Sequence, residues 1–568
     1  MNVIYHQVLV IGGGLAGLRA SIEVKEKGLD VALLSQVYPI RSHSTAAQGG
    51  INASLANTEA GKDDSWERHA YDTVFGSDFL ADQDAVEIMA REAPATVFEL
   101  EHWGAPFSRT EDGKIAQRPF GGAGFPRTCY AADKTGRVLL HTLFEQTISH
   151  HIKLYPERMM MMLVVEEGVC KGAITLNILD GQLETFRAEA VILATGGYGR
   201  IYARSTNSLV NTGSGMAAAY YAGIALEDME FVQFHPTSLV GTNILMTEAA
   251  RGEGGYLINN QRERFMKNYT PTVMELAPRD IVARTIQMEI QEGRGFENDY
   301  VLLDLTHLGK QRILERLPEI RLHAINFSNV DPIHKPIPVQ PAQHYSMGGM
   351  NCNTDGETEI QGFFAAGECA CVSVHGANRL GGNSLLETVT FGRRAGAKAA
   401  QYVMGKARTG IEEPILRQAL TAVQQRITAL IENDGNENPA RIRAELGQTM
   451  TDKVGIFRDS QRIQEAVDEI TQLKERYQHL RSISSNRVFN LDLVRAYELR
   501  GMLDVAEVIT RGALARQESR GSHYRLDFKE RDDAHWLKHT IAHYSPEGPR
   551  FDYKDVKFTQ WLPKARKY

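Results

Sequence analysis

Residues 7–17 read QVLVIGGGLAG, and LRASIEVKEKG follows at once over 18–28. The apolar run 7–11 reads as a strand, 18–28 as a helix, and DVALL at 30–34 as a second strand. This is a βαβ opening with Gly12, Gly14 and Gly17 at the G-x-G-x-x-G spacing. Such glycines let the turn tighten and let backbone N–H groups approach a pyrophosphate at the helix N-terminus. The alternative is a purely structural glycine turn. An NAD site would place Asp or Glu at the end of the second strand to read a ribose hydroxyl. Here Ser35 and Gln36 stand there, and the next acid is Glu59, so NAD is not supported.

Two later segments favour FAD. AVILATGG (190–197) closes on Ala194, Thr195 and Gly196, and GFFAAGEC (362–369) closes on Gly367 and Glu368. Apolar strands ending on small residues let the backbone pass close to a flat cofactor. Three such segments imply one cofactor lying across one sheet, with an insertion between the second and third. The predicted architecture is α/β: a Rossmann-like FAD-binding domain (1–234 and 340–405) interrupted by an α+β capping domain (235–339). A helical domain (406–515) follows, with helices over 412–433 and 458–480 separated by GNENP (435–439), and then a C-terminal tail domain (516–568). The last 50 or so residues are polar, aromatic and rich in turn formers, as in YSPEGPRFDYKDVKF, and read as a tail draped over the protein or a partner.

Length and composition agree. At roughly 100–200 residues per domain, 568 residues suggest three or four units. The 63 Lys and Arg against 70 Asp and Glu give a formal charge of −7, with no long basic block, so nucleic acid is not an expected partner. Five sparse cysteines (Cys129, Cys170, Cys352, Cys369, Cys371) argue against a disulfide framework and suit a reducing compartment. No run approaches 18 uninterrupted apolar residues. The first residues show no export signal; either the chain is not exported or a targeting peptide has been removed, and the initial Met favours the first.

Several loop-like segments carry chemistry. RSHSTAAQGG (41–50) surrounds His43 with small residues; it reads either as a turn with a solvated imidazole or as a loop against a flavin ring with His43 as an attachment point. FVQFHPT (231–237), TEAARGEGG (247–255), Arg279-Asp280, HYSMGG (344–349) and NRLGGNS (378–384) bring two His, three Arg, a Thr and a Glu near the ends of the insertion. Singly each reads as a surface ion pair. Together, at a domain junction, they suit a ligand site, and guanidinium and imidazole donors suit carboxylates. Met159–Met162 read as a core strand. His535, His539 and His543, four apart, would share a helix face and read as a polar face rather than a metal site. Cys369-Ala-Cys371 is too close and isolated for zinc or an iron–sulfur cluster, and no metal is expected.

RSHSTAAQGG, FVQFHPT, TEAARGEGGYL, RDIVAR, QHYSMGGM, HGANRLGGNSLLE and SRGSHYRLDFKERDDAHW together resemble, in order and over nearly the whole chain, the flavoprotein subunits of succinate dehydrogenase and fumarate reductase. Aspartate oxidase is related but lacks the histidine of the RSH motif. The resemblance implies FAD held covalently through its 8α carbon by His43. It implies cofactor contacts from Gly12, Gly14, Gly17, Ser35, Ser42, Gln48, Gly49, Gly50, Ala194, Thr195, Gly196, Glu368, Ser384 and Leu385, and from Asp228. His235, Thr247, His344 and Arg379 would grip a dicarboxylate (succinate or fumarate), with Phe120 near its middle. Arg279 would be the proton donor or acceptor, with Glu248 and Arg251 as its proton path. Gln36 departs from the Lys often found there in the family. Gln48, where some reductases have Glu, leans the direction toward succinate oxidation; quinol-driven fumarate reduction and a soluble aspartate oxidase-like flavin oxidase are the alternatives. Electrons would pass to an iron–sulfur subunit and a quinone-reactive membrane anchor, holding the chain at the cytoplasmic face of a bacterial inner membrane.

Overall fold

The computed structural model describes residues 3–406 and 413–566. Its central sheet has seven strands. Val3–Ile11 lies in the middle, parallel to Val31–Ser35 on one side and to Leu183–Leu193 on the other. Lys153–Pro156 extends the first edge in parallel. An antiparallel meander of Arg158–Glu166 and Val169–Asn177 joins the other edge, where Phe363–Ala365 also pairs with Leu183–Leu193 in parallel. The register sets Ile11 beside Leu193, so Gly12–Gly14 and Ala194–Gly196 leave the sheet side by side. Only glycine fits at Gly12: its φ is +123°, and a Cβ there would lie 2.0 Å from the Ala194 carbonyl oxygen. Gly17, on the following helix Leu15–Glu26, likewise meets the Gly12 carbonyl with no room for a side chain. Its work is close helix-to-turn packing.

The inserted unit has its own antiparallel sheet, in the order Val232–Leu239, Ile337–Ser346, Val301–Asp304 and Tyr256–Ile258. It also has a separate apolar core that includes Leu239, Met246, Ile286, Leu303 and Val339. The expected hand-offs at 234/235 and 339/340 both fall inside strands of this sheet, the paired neighbours Val232–Leu239 and Ile337–Ser346. Helices Glu413–Glu432, Pro439–Lys453, Ser460–Tyr477 and Leu491–Ala515 follow. The GNENP break supplies a helix start: the Asn438 side chain caps Ala440 N–H, and Pro439 occupies the first turn. Residue 412, expected at the start of the first of these helices, lies outside the described residues.

The C-terminal region forms a hairpin, Lys538–His543 with Arg550–Asp555, added to Leu226–Glu227 of the flavin domain. The expected shared helix face of His535, His539 and His543 is therefore absent. His539 and His543 lie on a strand, and its pairing buries His539 completely. Both ring nitrogens of His539 are taken by acids, Nδ1 by Asp228 (2.7 Å) and Nε2 by Asp82 (3.1 Å), with Glu227 at 3.4 Å. Lys554 in turn meets Glu227 at 2.7 Å, and Lys557 lies 3.8 Å from Asp82. Burial alone would lower the His539 pKa, but Asp228 and Glu227 outweigh it and push it up to about 10.

His539 therefore clamps the hairpin as an imidazolium. Its folded pKa of about 10 lies above the ordinary 6.5, so the stabilisation is full below about pH 6.5 and fades as pH rises through 10. His539→Ala should cost about 3–5 kcal/mol, because it strands buried carboxylates. Thermal melts of wild type and variant should differ most near pH 6 and converge above pH 10; a constant difference across that range would refute the clamp.

Candidate active site

One cleft runs from the Gly12–Gly14 turn to the base of the inserted unit. It is lined by Ser35, Ser42, His43, Gln48, Gly49, Gly50, Ala194, Thr195, Gly196, Glu368, Ser384 and Leu385, and at the far end by Phe120, His235, Thr247, Glu248, Arg279, His344 and Arg379. Three expected residues are not on its wall. Gly17 packs beneath the turn, and Arg251 stands behind Glu248. Asp228, expected to touch the cofactor, spends its carboxylate oxygens on His539 and the Thr540 N–H.

The near end fits a flavin dinucleotide. The glycine turn opens onto the N-terminus of Leu15–Glu26. The Ser42 hydroxyl and Gln48 Oε1 are buried and bond nothing among the described residues, so both await a polar ligand. Glu368 accepts the Ser346 N–H at 2.9 Å through Oε1. Burial raises its pKa to about 7. Gly49 must lack a side chain, since a Cβ there would strike Phe120 at 2.7 Å. The loop carrying it is held by Arg118, which donates to the Gly49 and Ala132 carbonyls. At the strand end, Gln36 donates to Glu498 at 2.8 Å, so the helical domain closes over this end.

His43 is held from below. Ser208 N–H donates to Nδ1 (3.2 Å), and Asn207 Nδ2 lies 3.3 Å from Nε2. Burial, helped by the Arg200 charge, lowers its pKa to about 4 and keeps the ring neutral.

The far end is built from both units. Arg279, first residue of the helix Arg279–Gln291, places Nε 2.6 Å from Glu248 Oε2. Glu248 Oε1 accepts the Gly121 N–H at 2.6 Å and lies 4.0 Å from Arg251 Nη2. Burial would raise the Glu248 pKa, yet Arg279 and Arg251 outweigh it and hold it below the usual range. Gln233 joins two buried forks: its Oε1 accepts from Arg279 Nη1 (3.2 Å) and Arg379 Nη2 (3.0 Å). Arg379 stacks on Tyr345, 4.5 Å from the ring centroid. Burial, then repulsion from Arg279, lowers the Arg379 pKa to about 9.

The rings of His235 and His344 meet edge-on, centroids 5.0 Å apart. His235 Nδ1 receives the Thr237 N–H (3.2 Å), and Thr206 Oγ1 lies 2.8 Å from His344 Nδ1. Burial, with Arg279 close to both, keeps each pKa well below 6.5. Buried donors without partners among the described residues remain at His235 Nε2 and Arg379 Nε. Three guanidiniums against one carboxylate leave a buried excess of positive charge, which suits a small dianion.

The sequence reading missed Gln233, Arg118 and the Thr206–Ser208 turn. For Gln233 a signal existed: on a strand, residues two apart share a face, so Gln233 sits beside His235. Gln233→Leu should leave Arg279 and Arg379 without their common acceptor. Turnover per substrate encounter should fall about 10²-fold, while flavin content and Tm hold; unchanged kcat/KM would remove Gln233 from the machinery.

Residues 7–385 match the model of an FAD binding domain, and residues 443–568 that of the fumarate reductase flavoprotein C-terminal region. The succinate dehydrogenase flavoprotein subunit of Rickettsia bellii is 44% identical over 581 residues, covering 98% of this chain and 96% of that protein. The fumarate reductase flavoprotein subunit of Mycobacterium tuberculosis is 45% identical over 582 residues, 99% of each chain. Among solved structures, Escherichia coli quinol fumarate reductase FrdA superposes with a TM-score of 0.95 at 42% identity, covering 100% of this chain and 99% of that one. Mycobacterium smegmatis Sdh1 in complex with UQ1 gives 0.87 at 38% identity, covering 99% and 96%. With the βαβ cradle, the inserted unit and the His–Arg cluster in place, the chain belongs to the succinate dehydrogenase/fumarate reductase flavoprotein family, the FAD-dependent oxidoreductases named for those two reactions.

Proposed function

We propose that this chain interconverts succinate and fumarate as the flavoprotein subunit of a membrane-associated succinate:quinone oxidoreductase, with FAD attached covalently through His43. The observation that carries the reading is the buried cluster of Arg279, Arg379, His235 and His344 around Glu248, in the same cleft as the glycine turn and His43. FAD, when bound, would take up a hydride from a C–H at one central carbon of succinate, or return it to fumarate.

The remaining work falls to the chain. His235, His344, Thr247 and Arg379 hold the two carboxylates, and Phe120 lies against the substrate's middle. Gripping both ends orients the reacting carbons and lets one carboxylate be twisted out of plane, which polarises an otherwise unactivated bond. Arg279 gives the proton in fumarate reduction and takes it in the reverse direction. Glu248, bonded to Arg279 and next to Arg251, is the first group able to reload or relieve it. The inserted unit acts as a cap: it carries Thr247, Glu248 and Arg279, so closure assembles these groups while excluding water.

Gln48 favours succinate oxidation. Its Nε2 lies 3.3 Å from His323 Nδ1 on the inserted unit, a link between flavin loop and cap. No helix among the described residues is long and apolar enough to cross a membrane. Relatives include a quinol fumarate reductase and a protein in complex with UQ1, which supports an iron–sulfur subunit and a quinone-reactive anchor as partners. Through them the chain would sit at the cytoplasmic face of a bacterial inner membrane. The test is an assay of the assembled protein with an artificial dye. Succinate should reduce the dye and yield fumarate, and aspartate should not react; peroxide formed from aspartate, with no reaction of succinate, would replace this reading by a soluble flavin oxidase.

A further inference from the structure

A second cavity, about 730 Å³, lies between the helix Ser214–Tyr221, the helical domain and the turn after His543. That is a volume typical of sites for small organic ligands, roughly 300–1,000 Å³. It shares Met159, Met160 and Ser214 with the flavin cleft, so one wall separates the two.

Its inner corner is aromatic. Tyr220 and Tyr221 each meet Tyr544 edge-on, with centroids 5.3 Å apart in both pairs. The Tyr220 side chain is buried, and its hydroxyl bonds nothing among the described residues. Arg500 stands over the Tyr221 ring, 5.1 Å from the centroid, and forms no salt bridge among the described residues. The acids nearby are already matched. Lys474 Nζ lies 2.7 Å from Asp504 and 2.6 Å from Glu507, and Arg511 takes the other oxygen of Glu507 at 2.8 Å. Tyr221 donates to Asp504. Glu432 and Asp434 stand exposed at the rim.

Inside the rim, the side-chain bonding capacity left over is of one kind. The Tyr220 O–H and the Arg500 N–H groups are donors without acceptors among the described residues, beside rings that suit a flat partner. A buried phenol without an acceptor is destabilising, and an acceptor ligand relieves it. Guanidinium planes bind carboxylate and phosphate forks and stack on rings.

We propose that this cavity binds a small aromatic anion, a planar ring bearing one carboxylate or one phosphate. The ring packs in the Tyr220–Tyr221–Tyr544 corner, and the anion takes Arg500 and the Tyr220 hydroxyl. Binding presses on the Met159–Met160 wall and so is sensed at the flavin cleft.

The experiment is calorimetric titration of the flavin-loaded full chain, with saturating fumarate filling the catalytic pocket. The probes are 4-hydroxybenzoate and adenosine 5′-monophosphate, with butyrate and adenosine as controls lacking ring or anion. The expected result is saturable one-to-one binding of one aromatic anion, and which one binds tells carboxylate from phosphate. Both controls should bind at least tenfold more weakly. Arg500→Gln should weaken binding about tenfold and Tyr220→Phe by less, while succinate turnover and flavin content stay unchanged. Absence of saturable binding up to about 1 mM, equal binding of a control, or affinity undiminished in both variants would overturn the proposal.

Discussion

Arg279→Gln should abolish nearly all turnover, about 10³–10⁴-fold, in both directions, while the protein still folds and retains FAD. Under the proposed proton-donor role, the side chain is held firmly: Nε is 2.6 Å from Glu248, one fork nitrogen is 3.2 Å from Gln233, and the residue is buried at the start of a helix. Glutamine keeps part of the shape and some hydrogen bonding but cannot carry the proton. Lysine keeps the charge but cannot reach Glu248 and Gln233 at once with a planar fork, so Arg279→Lys should rescue little. Because Arg379, His235 and His344 remain, dicarboxylate binding should weaken far less than turnover. The measurement is steady-state succinate and fumarate turnover beside a binding titration on the same variant. Full turnover in Arg279→Gln would remove Arg279 from proton transfer.

The second large effect concerns His43. On a denaturing gel under ultraviolet light, protein from its native membranes should show a fluorescent flavin band at the chain's 63.3 kDa. His43→Ser should abolish that band completely. A neutral imidazole, kept so by a pKa near 4, is a competent nucleophile. An imidazole on the ring raises the flavin's appetite for electrons, so the variant should lose succinate oxidation more than fumarate reduction. A dark band from active, assembled protein would rule out the covalent link and return His43 to the role of a loop imidazole.

The parts legible in the sequence were those whose chemistry is local. The strand–glycine–helix unit at 7–28 needs only neighbouring residues to be recognised, and the fold places the two other apolar runs, ending at Ala194 and Glu368, beside it. Motif segments likewise brought His235, Glu248, Arg279, His344 and Arg379 onto one list, and the fold brings them to one cleft. What could not be read is partnership at a distance. Asp228 entered through the resemblance alone, and nothing near it in sequence points to its partner His539, 311 residues away. Histidines spaced by four suggested a helix, but pairing with Leu226–Glu227 made that segment a strand. Arg118 carries no motif, and only tertiary packing sets its guanidinium under Gly49.

The helix Arg279–Gln291 begins Arg279-Asp280, and Asp280 is buried with Arg566 Nη1 3.1 Å from its Oδ2, across 286 residues of sequence. During synthesis the ribosome releases Asp280 long before Arg566. At roughly 5–20 residues per second, Asp280 has only Arg284, 3.1 Å away on its own helix, for about 15–60 s before Arg566 is made. Translation thus works as a timer: the cap's helix can form early with its local ion pair, and the tie that joins it to the C-terminal region closes late.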